Sequence, residues 1–160
     1  MSSLSWSDAL VLNQPRMDHT HREFVALLAE LELALDGRLQ AVDDALSQLI
    51  EHTEAHFAQE ERWMAALGFA PENCHTFQHA HVLQVLHEVN RLHQADGDTR
   101  IVRELVGELA KWFPAHAQMM DAALAQMMAE LGFDPETGSC AAAVPAAAQP
   151  VTGCGSAACS

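Results

Sequence analysis

The stretch VDDALSQLIEHTEAHFAQEERWMAAL, residues 42–67, decides the fold. Its apolar positions recur in alternating steps of four and three residues, which is the period of one face of an α-helix. Two polar residues, His56 and Glu60, occupy positions on this same apolar face. Because burying an unpaired polar group costs several kcal/mol, their placement predicts that they meet a partner inside the fold.

Three further segments show the same helical period, at residues 17–35, 75–93 and 105–131. Short breaks rich in Asp, Gly and Pro separate the four segments, at 36–37, 68–71 and 96–98. Short connections between long helices force neighbouring helices to run antiparallel. The sequence therefore predicts an all-α fold, an antiparallel up-down-up-down four-helix bundle.

The regions that flank the four segments differ from them in composition. Residues 1–15 lack helical period and end in Pro15, so we expect an N-terminal arm, with Trp6 packing on the bundle. From Gly132 onward the chain is rich in Ala, Pro, Gly, Ser and Cys, which is typical of disorder. The predicted organisation is therefore an arm over 1–15, a bundle over 16–131 and a disordered C-terminal tail over 132–160.

The charge of the chain limits its partners. The formal net charge is −14, from 22 acidic and 8 basic residues. A surface this acidic repels nucleic acids and anionic membranes. No stretch approaches the roughly 18 uninterrupted apolar residues of a membrane-spanning helix, and no basic segment followed by an apolar run marks a secretory signal. We therefore expect a cytoplasmic protein that binds neither nucleic acid nor membrane.

Polar residues on the apolar faces of all four predicted helices carry the functional signal. They are His21, His56, Glu60, His75, His79 and His116. Two pairs among them have a spacing of four residues, which places both members of a pair on one helical face. Histidine and carboxylate ligands without thiolates suit iron, zinc, copper or manganese rather than an iron–sulfur cluster. The pattern predicts a shared site for a pair of metal ions.

Asp121 is a further candidate whose spacing leaves two interpretations open. It follows His116 by five residues, about 140° around an ideal helix, so a surface carboxylate is one reading. The apolar face of the fourth segment, however, shifts by one residue after His116. Either a local bulge or a kink at Pro114 would produce this shift and turn Asp121 inward.

Five other histidines are not expected to bind the metal pair: His19, His52, His81, His87 and His93. We expect them to be exposed or to lie beside the ligands without replacing them. The nearest is His52, one helical turn before His56. Glu61 is expected to be solvated rather than a ligand.

At these residues the chain resembles the hemerythrin family, in particular its single-domain bacterial members, over residues 4–131. The resemblance rests on an ordered set of motifs: Trp6, Asp18 before His21, HxxxE at 56–60, HxxxH at 75–79, Trp112 before His116, and HxxxxD at 116–121. It implies an up-and-down four-helix bundle that holds a non-haem di-iron centre.

The resemblance also implies a role for each ligand. One iron would be held by His75, His79 and His116, and the other by His21 and His56. Glu60 and Asp121 would bridge the two irons together with an oxo or hydroxo group, which assigns Asp121 to the site. The two-histidine iron would keep an open position for dioxygen.

Matching positions in the family further imply the wall of a dioxygen pocket, formed by Phe24, Phe57, Trp112, Phe113 and Ala117. Relatives usually carry a bulky aliphatic residue in place of Ala117, which implies a wider pocket and faster autoxidation here. Many bacterial relatives carry Tyr in place of His52. Neither departure removes a ligand.

Three classes of function follow from these residues. The leading one is reversible dioxygen binding by a carrier, store or sensor module that is not an enzyme. Its ligands are less anionic than those of carboxylate-dominated di-iron proteins, so oxidation should be easier to reverse. The second is a di-iron enzyme or iron-handling protein that acts on peroxide or nitric oxide, or donates iron through Cys140, Cys154 and Cys159. The third is a structural or zinc-binding helical bundle. The sequence identifies no protein partner.

Overall fold

The computed structural model describes residues 2–142, and helices account for most of them. The helices are α1 (Pro15–Ala34), α2 (Leu39–Ala66), α3 (Cys74–Asp96), α4 (Thr99–His116) and α5 (Ala122–Glu130), with a π-helical turn, Ala117–Asp121, joining the last two. Helices α1 to α4 pack on their neighbours in chain order, and α1 also packs on α4. The predicted four-helix bundle is confirmed, with α4, the π turn and α5 forming its fourth helix. No helix in the described range is long and apolar enough to cross a membrane.

Local signals set where the helices begin and end. Asn73 caps α3, because its side chain accepts from the backbone N–H of Thr76 while the Thr76 hydroxyl accepts from the backbone N–H of Asn73. Gly97 follows α3 with a φ of 65°, a left-handed conformation that favours glycine. Asp98 caps α4 by accepting from the backbone N–H of Arg100. These caps fix which residues of α3 and α4 face the core.

The core consists of two apolar clusters on either side of a polar layer. The larger contains Leu28, Leu31, Leu46, Leu49 and Leu86, none more than 1% exposed, and extends to Phe24, Phe57 and Phe113. The smaller contains Met17, Trp63, Met64, Leu124 and Phe133. Between the two clusters lie the predicted ligands, at least one from each of α1, α2, α3 and α4 and one from the π turn. The polar layer is therefore enclosed by apolar packing above and below.

The π-helical turn explains the spacing of Asp121. It begins directly after His116, and the backbone N–H of Ala122 bonds to the carbonyl of Ala117, five residues earlier. Such a turn holds one residue more than an α-helical turn, so a residue at i+5 faces the side that i+4 would otherwise face. Asp121 consequently points into the core and is fully buried. Of the two predicted explanations, the local bulge is confirmed.

The N-terminal arm lies against the bundle as predicted. A 3-10 turn spans Asp8–Leu10, and Leu10 is buried in the larger apolar cluster. The guanidinium of Arg22 lies 4.6 Å from the ring centroid of Trp6. The backbone N–H of Leu12 donates to the carboxylate of Asp18 at 2.7 Å. These contacts bind the arm to α1.

The prediction that disorder begins at Gly132 is wrong for residues 132–142. Strands β1 (Phe133–Asp134) and β2 (Ser139–Cys140) pair as an antiparallel hairpin. Phe133 packs in the smaller apolar cluster, and the indole N–H of Trp63 donates to the carbonyl of Pro135 at 3.2 Å. Strands of two residues are too short to produce a sequence period, so only these tertiary contacts reveal the hairpin. The remainder of the predicted tail, with Cys154 and Cys159, lies outside the described residues.

Candidate metal centre

The structure brings all seven predicted ligands together in the polar layer of the core. None is more than 5% exposed, and five of them are fully buried. Helix α1 supplies His21, α2 supplies His56 and Glu60, α3 supplies His75 and His79, α4 supplies His116, and the π turn supplies Asp121. The convergence of four helices on one buried spot is what the sequence pattern predicted.

In every one of the five imidazoles, Nε2 is the nitrogen that faces the carboxylates. His75 Nε2 and His116 Nε2 lie 3.0 and 3.1 Å from the same oxygen, Asp121 Oδ1. When two donor atoms each lie about 2.1 Å from the same ion and the donor–ion–donor angle is near 90°, the donors are about 3 Å apart. The spacing of the donors therefore suits shared metal ions.

Glu60 divides its two oxygens between two groups of histidines. Oε1 lies 3.0 Å from His56 Nε2 and 3.8 Å from His21 Nε2. Oε2 lies 3.3 Å from the Nε2 atoms of both His75 and His79. A carboxylate placed in this way can bridge two neighbouring cations.

Asp121 likewise divides its two oxygens between the two groups of histidines. Its Oδ1 faces His75 and His116, whereas its Oδ2 lies 3.2 Å from His21 Nε2. The cluster thus contains two potential metal positions that share Glu60, with Asp121 directed at His75 in one and at His21 in the other. We call them the three-histidine position, formed by His75, His79 and His116, and the two-histidine position, formed by His21 and His56.

The protein alone does not satisfy the hydrogen-bonding capacity of this cluster. Among the ligands, eight buried side-chain nitrogen and oxygen atoms have no hydrogen-bond partner in the described part of the chain, and they belong to six residues: His21, His56, Glu60, His79, His116 and Asp121. Each such atom costs about 1–3 kcal/mol when left unpaired. Imidazole and carboxylate donors suit iron, zinc and manganese. The unpaired atoms and the donor set together fit a pair of bound metal ions.

The electrostatics keep both carboxylates ionised. Burial on its own would raise the pKa of Glu60, but the nearby His56 and His21 hold that pKa well below its usual range. Burial and the charge of Glu60 would likewise raise the pKa of Asp121. His116 and His21 outweigh these two effects, and the pKa of Asp121 lies below its usual value. Burial lowers the pKa of His21, yet its two carboxylate neighbours raise it to about 9. The metal-free cluster therefore carries negative charge that only protonated imidazoles or cations can balance.

Aromatic side chains surround the ligand rings. Phe57 stacks on His79 with ring centroids 3.8 Å apart, and Trp112 stacks on His116 at 4.4 Å. The rings of Phe113 and His21 are perpendicular with centroids 5.1 Å apart, and Phe113 stacks on Phe24 at 4.7 Å. Ala117, in the π turn, is fully buried. Four of the five residues predicted to form a pocket thus contact a ligand ring or adjoin a ligand in the chain, and the fifth, Phe24, stacks on Phe113.

Of the five histidines not expected to bind metal, His19, His81 and His87 are exposed. His52 is partly buried and donates from Nε2 to the carbonyl of Thr20 at 3.1 Å. It lines a cavity of about 200 Å³ between α1 and α2 that reaches the ligands His56 and Glu60. These four placements agree with the sequence prediction.

His93 differs from the prediction, because it is buried and distant from the cluster. Only 2% of it is exposed, at the C-terminal end of α3. Its Nε2 lies 2.9 Å from Asp43 Oδ1, and its Nδ1 lies 3.1 Å from the carbonyl oxygen of Asp98. The partners come from α2 and from the connection to α4, which no sequence spacing relates to His93. It is a structural residue that joins three parts of the fold.

Two residues that touch the ligands were not anticipated from the sequence. The side chain of Gln78 accepts a hydrogen bond from Nδ1–H of His116 at 2.7 Å. Glu61, expected to be solvated, is 45% exposed but places Oε1 3.3 Å from His79 Nδ1. Each residue adjoins a ligand in the chain but contacts a ligand on a different helix. In the sequence, only their position next to a ligand indicated a role for Gln78 and Glu61. That position does not predict a contact with a ligand on another helix.

Comparisons with known proteins agree with this geometry. The family model described as the hemerythrin HHE cation binding domain matches residues 14–128, which include all seven ligands. A bacteriohemerythrin of Ralstonia nicotianae is 39% identical over 134 residues, 84% of this chain and 95% of the relative. A bacteriohemerythrin of Pseudomonas aeruginosa is 29% identical over 143 residues, 86% and 92% of the two chains. No solved structure gives a significant match. The chain belongs to the hemerythrin family.

Proposed function

We propose that this chain is a non-haem di-iron protein that binds dioxygen reversibly, as a carrier, store or sensor module rather than an enzyme. The observation that carries the proposal is the placement of Glu60 and Asp121, each with one oxygen directed at each histidine group. The three-histidine position would hold one iron and the two-histidine position the other. The carboxylates would bridge them together with an oxo or hydroxo group. When bound, such a pair supplies the redox chemistry that dioxygen uptake requires.

The difference between the two positions supports a site for dioxygen on one side. Glu60 belongs to both positions, and Asp121 reaches the second through His21 at 3.2 Å, but one position has three imidazoles and the other has two. The position with fewer protein donors is the one with room for an exogenous ligand. We propose that dioxygen binds at the two-histidine position.

The apolar surroundings support reversible binding rather than turnover. Phe24, Phe57, Phe113 and Ala117 are at most 2% exposed, so they exclude water from one side of the cluster. A dry wall limits the delivery of protons to a reduced oxygen species and so favours release of dioxygen over release of peroxide. The small side chain of Ala117 leaves more space beside this wall than a bulky aliphatic residue would. We propose that these residues, with Trp112, line the dioxygen pocket.

The test is an iron count combined with visible spectroscopy. The full chain is purified, its metals are counted, and its spectrum is recorded while dithionite, oxygen and argon are cycled. Two irons per chain and a visible band that appears under oxygen and disappears under argon would support the proposal. Irreversible oxidation with turnover of peroxide or nitric oxide would contradict it and favour a di-iron enzyme. Zinc, or no metal, would contradict both.

A further inference from the structure

The two metal positions differ in the hydrogen bonds that reach their ligands from outside. In the three-histidine position, Nδ1 of His116 donates to Gln78 at 2.7 Å, and Nδ1 of His79 lies 3.3 Å from Glu61. In the two-histidine position, Nδ1 of both His21 and His56 is buried and has no hydrogen-bond partner among the described residues. The positions are therefore unequal beyond their number of imidazoles.

An outer acceptor changes what an imidazole can do. When Nδ1–H donates to a carboxylate or an amide oxygen, the ring is held in one orientation and its Nε2 becomes a stronger donor to a metal. A ring without such an acceptor is held only by packing. The outer bonds of Gln78 and Glu61 thus favour metal binding at the three-histidine position, before any metal has reached the other.

Access to solvent adds a second difference. The cavity of about 200 Å³ between α1 and α2 is lined by His56 and Glu60 at its inner end and by Glu23, His52 and other polar residues further out. His56, with 5% of its surface exposed, is the most exposed of the seven ligands, whereas His75 and His79 are fully buried. An ion at the two-histidine position is closer to an exit.

From these contacts we infer that the two positions load in a fixed order. Gln78 and Glu61 act as positioning residues that make the three-histidine position the tighter one, so it fills first. The two-histidine position fills second and exchanges its ion through the α1–α2 cavity. This inference rests on the proposed metal centre, but it does not depend on dioxygen binding.

The experiment is a titration of the metal-free full chain with Co²⁺ under argon, followed by the visible absorption of the bound ion. We expect two steps with different affinities and different spectra. Replacing Gln78 or Glu61 with Leu should weaken the first step about 10- to 100-fold, the usual effect of losing an outer hydrogen bond to a ligand. Gln78→Glu keeps an acceptor oxygen and should restore the first step.

The chain offers a matched control. Glu54 on α2 pairs with His87 on α3 at 2.8 Å, joining the same two helices as the Glu61–His79 pair but away from the cluster. Glu54→Leu should leave both steps unchanged. Two equal steps in the unmodified chain, or equal weakening of both steps by Gln78→Leu, would overturn the inference. Binding of no Co²⁺ would contradict the metal centre itself, whereas ordered loading without dioxygen binding by the iron form would contradict only the proposed function.

Discussion

His79 and His93 lie on the same helix and are both buried, yet their surroundings differ completely. Both ring nitrogens of His93 face oxygen acceptors, from Asp43 and from the carbonyl of Asp98. His79 Nε2, in contrast, faces the carboxylate of Glu60 at 3.3 Å without forming a hydrogen bond. A buried histidine is therefore not in itself evidence of a metal ligand. What distinguishes His79 from His93 is an inward nitrogen without a hydrogen-bond partner among the described residues.

The same difference separates the two parts of the bundle in which these residues lie. Around His93 the fold compensates the burial of polar groups with protein partners. In the cluster of seven ligands, bound metal ions would provide this compensation. We expect mutations around His93 to lower the stability of the protein, and mutations in the cluster of ligands to lower its metal content.

The largest expected effect comes from Glu60→Ala. Glu60 supplies one oxygen to each metal position, so its loss weakens both, and we expect the iron content to fall from two per chain to below about one. Iron is measured by elemental analysis against protein concentration. As a control, Asp43→Ala removes a partner of His93 and should leave the iron content at the level of the unmodified chain. Retention of both irons by Glu60→Ala would contradict the bridging role.

Removal of metal should produce the next largest effect. An ion that binds only the folded state stabilises it by about 2.7 kcal/mol at a free concentration of 100 times its dissociation constant. Loss of two ions should therefore lower the free energy of unfolding by roughly twice that amount, measured by urea unfolding under argon. His93 is held by protein partners, so its contacts should persist in the metal-free protein. Identical unfolding midpoints with and without iron would be incompatible with our description of the cluster.

A smaller effect is expected from His93→Ala. This change leaves the partly buried carboxylate of Asp43 without its histidine partner, and it should lower the free energy of unfolding by about 1–3 kcal/mol. The iron content should stay unchanged. The exposed His87, paired with Glu54, is the matched control, because His87→Ala should change stability by less than about 1 kcal/mol. If His93→Ala also removed iron, the two regions would not be independent.

The smallest effect concerns pH. Burial lowers the pKa of His21, but Asp121 and Glu60 outweigh it and raise the pKa from 6.5 to about 9 in the metal-free fold. A raised pKa stabilises the folded state. The contribution is complete at pH values below the pKa of His21 in the unfolded chain, and it disappears as the pH rises through about 9. The metal-free protein should therefore lose stability between pH 7 and pH 10.

The variant His21→Gln isolates this contribution. Its free energy of unfolding should fall less steeply over the same pH range, so the difference from the unmodified metal-free chain should narrow as the pH rises from 7 and be lost above about 9. Urea unfolding at four pH values measures it. A constant difference from pH 7 to pH 10 would show that the proton on His21 contributes nothing to stability.

Much of the site could be predicted from the sequence, because six of its ligands repeat with the period of a helix. His56 and Glu60, or His75 and His79, need only helical geometry to share a face. Asp121 required either a family resemblance or knowledge of the π turn, since its spacing contradicts an ideal α-helix. Similarly, the hairpin around Phe133 depends on packing against residues far away in the chain.

The sequence by itself determined the four amphipathic helices, their antiparallel order and the layer of the core in which polar groups collect. Hydrophobic period and chain breaks are local properties, and they suffice for these conclusions. Only the tertiary structure decided which oxygen of Glu60 faces which histidine, and that Gln78 and Glu61 reach ligands on neighbouring helices. It also decided that His93 is buried with protein partners. These contacts join different helices. The rotation and axial shift of one helix relative to its neighbour are set by packing, and they cannot be derived from the spacing of residues along a single helix.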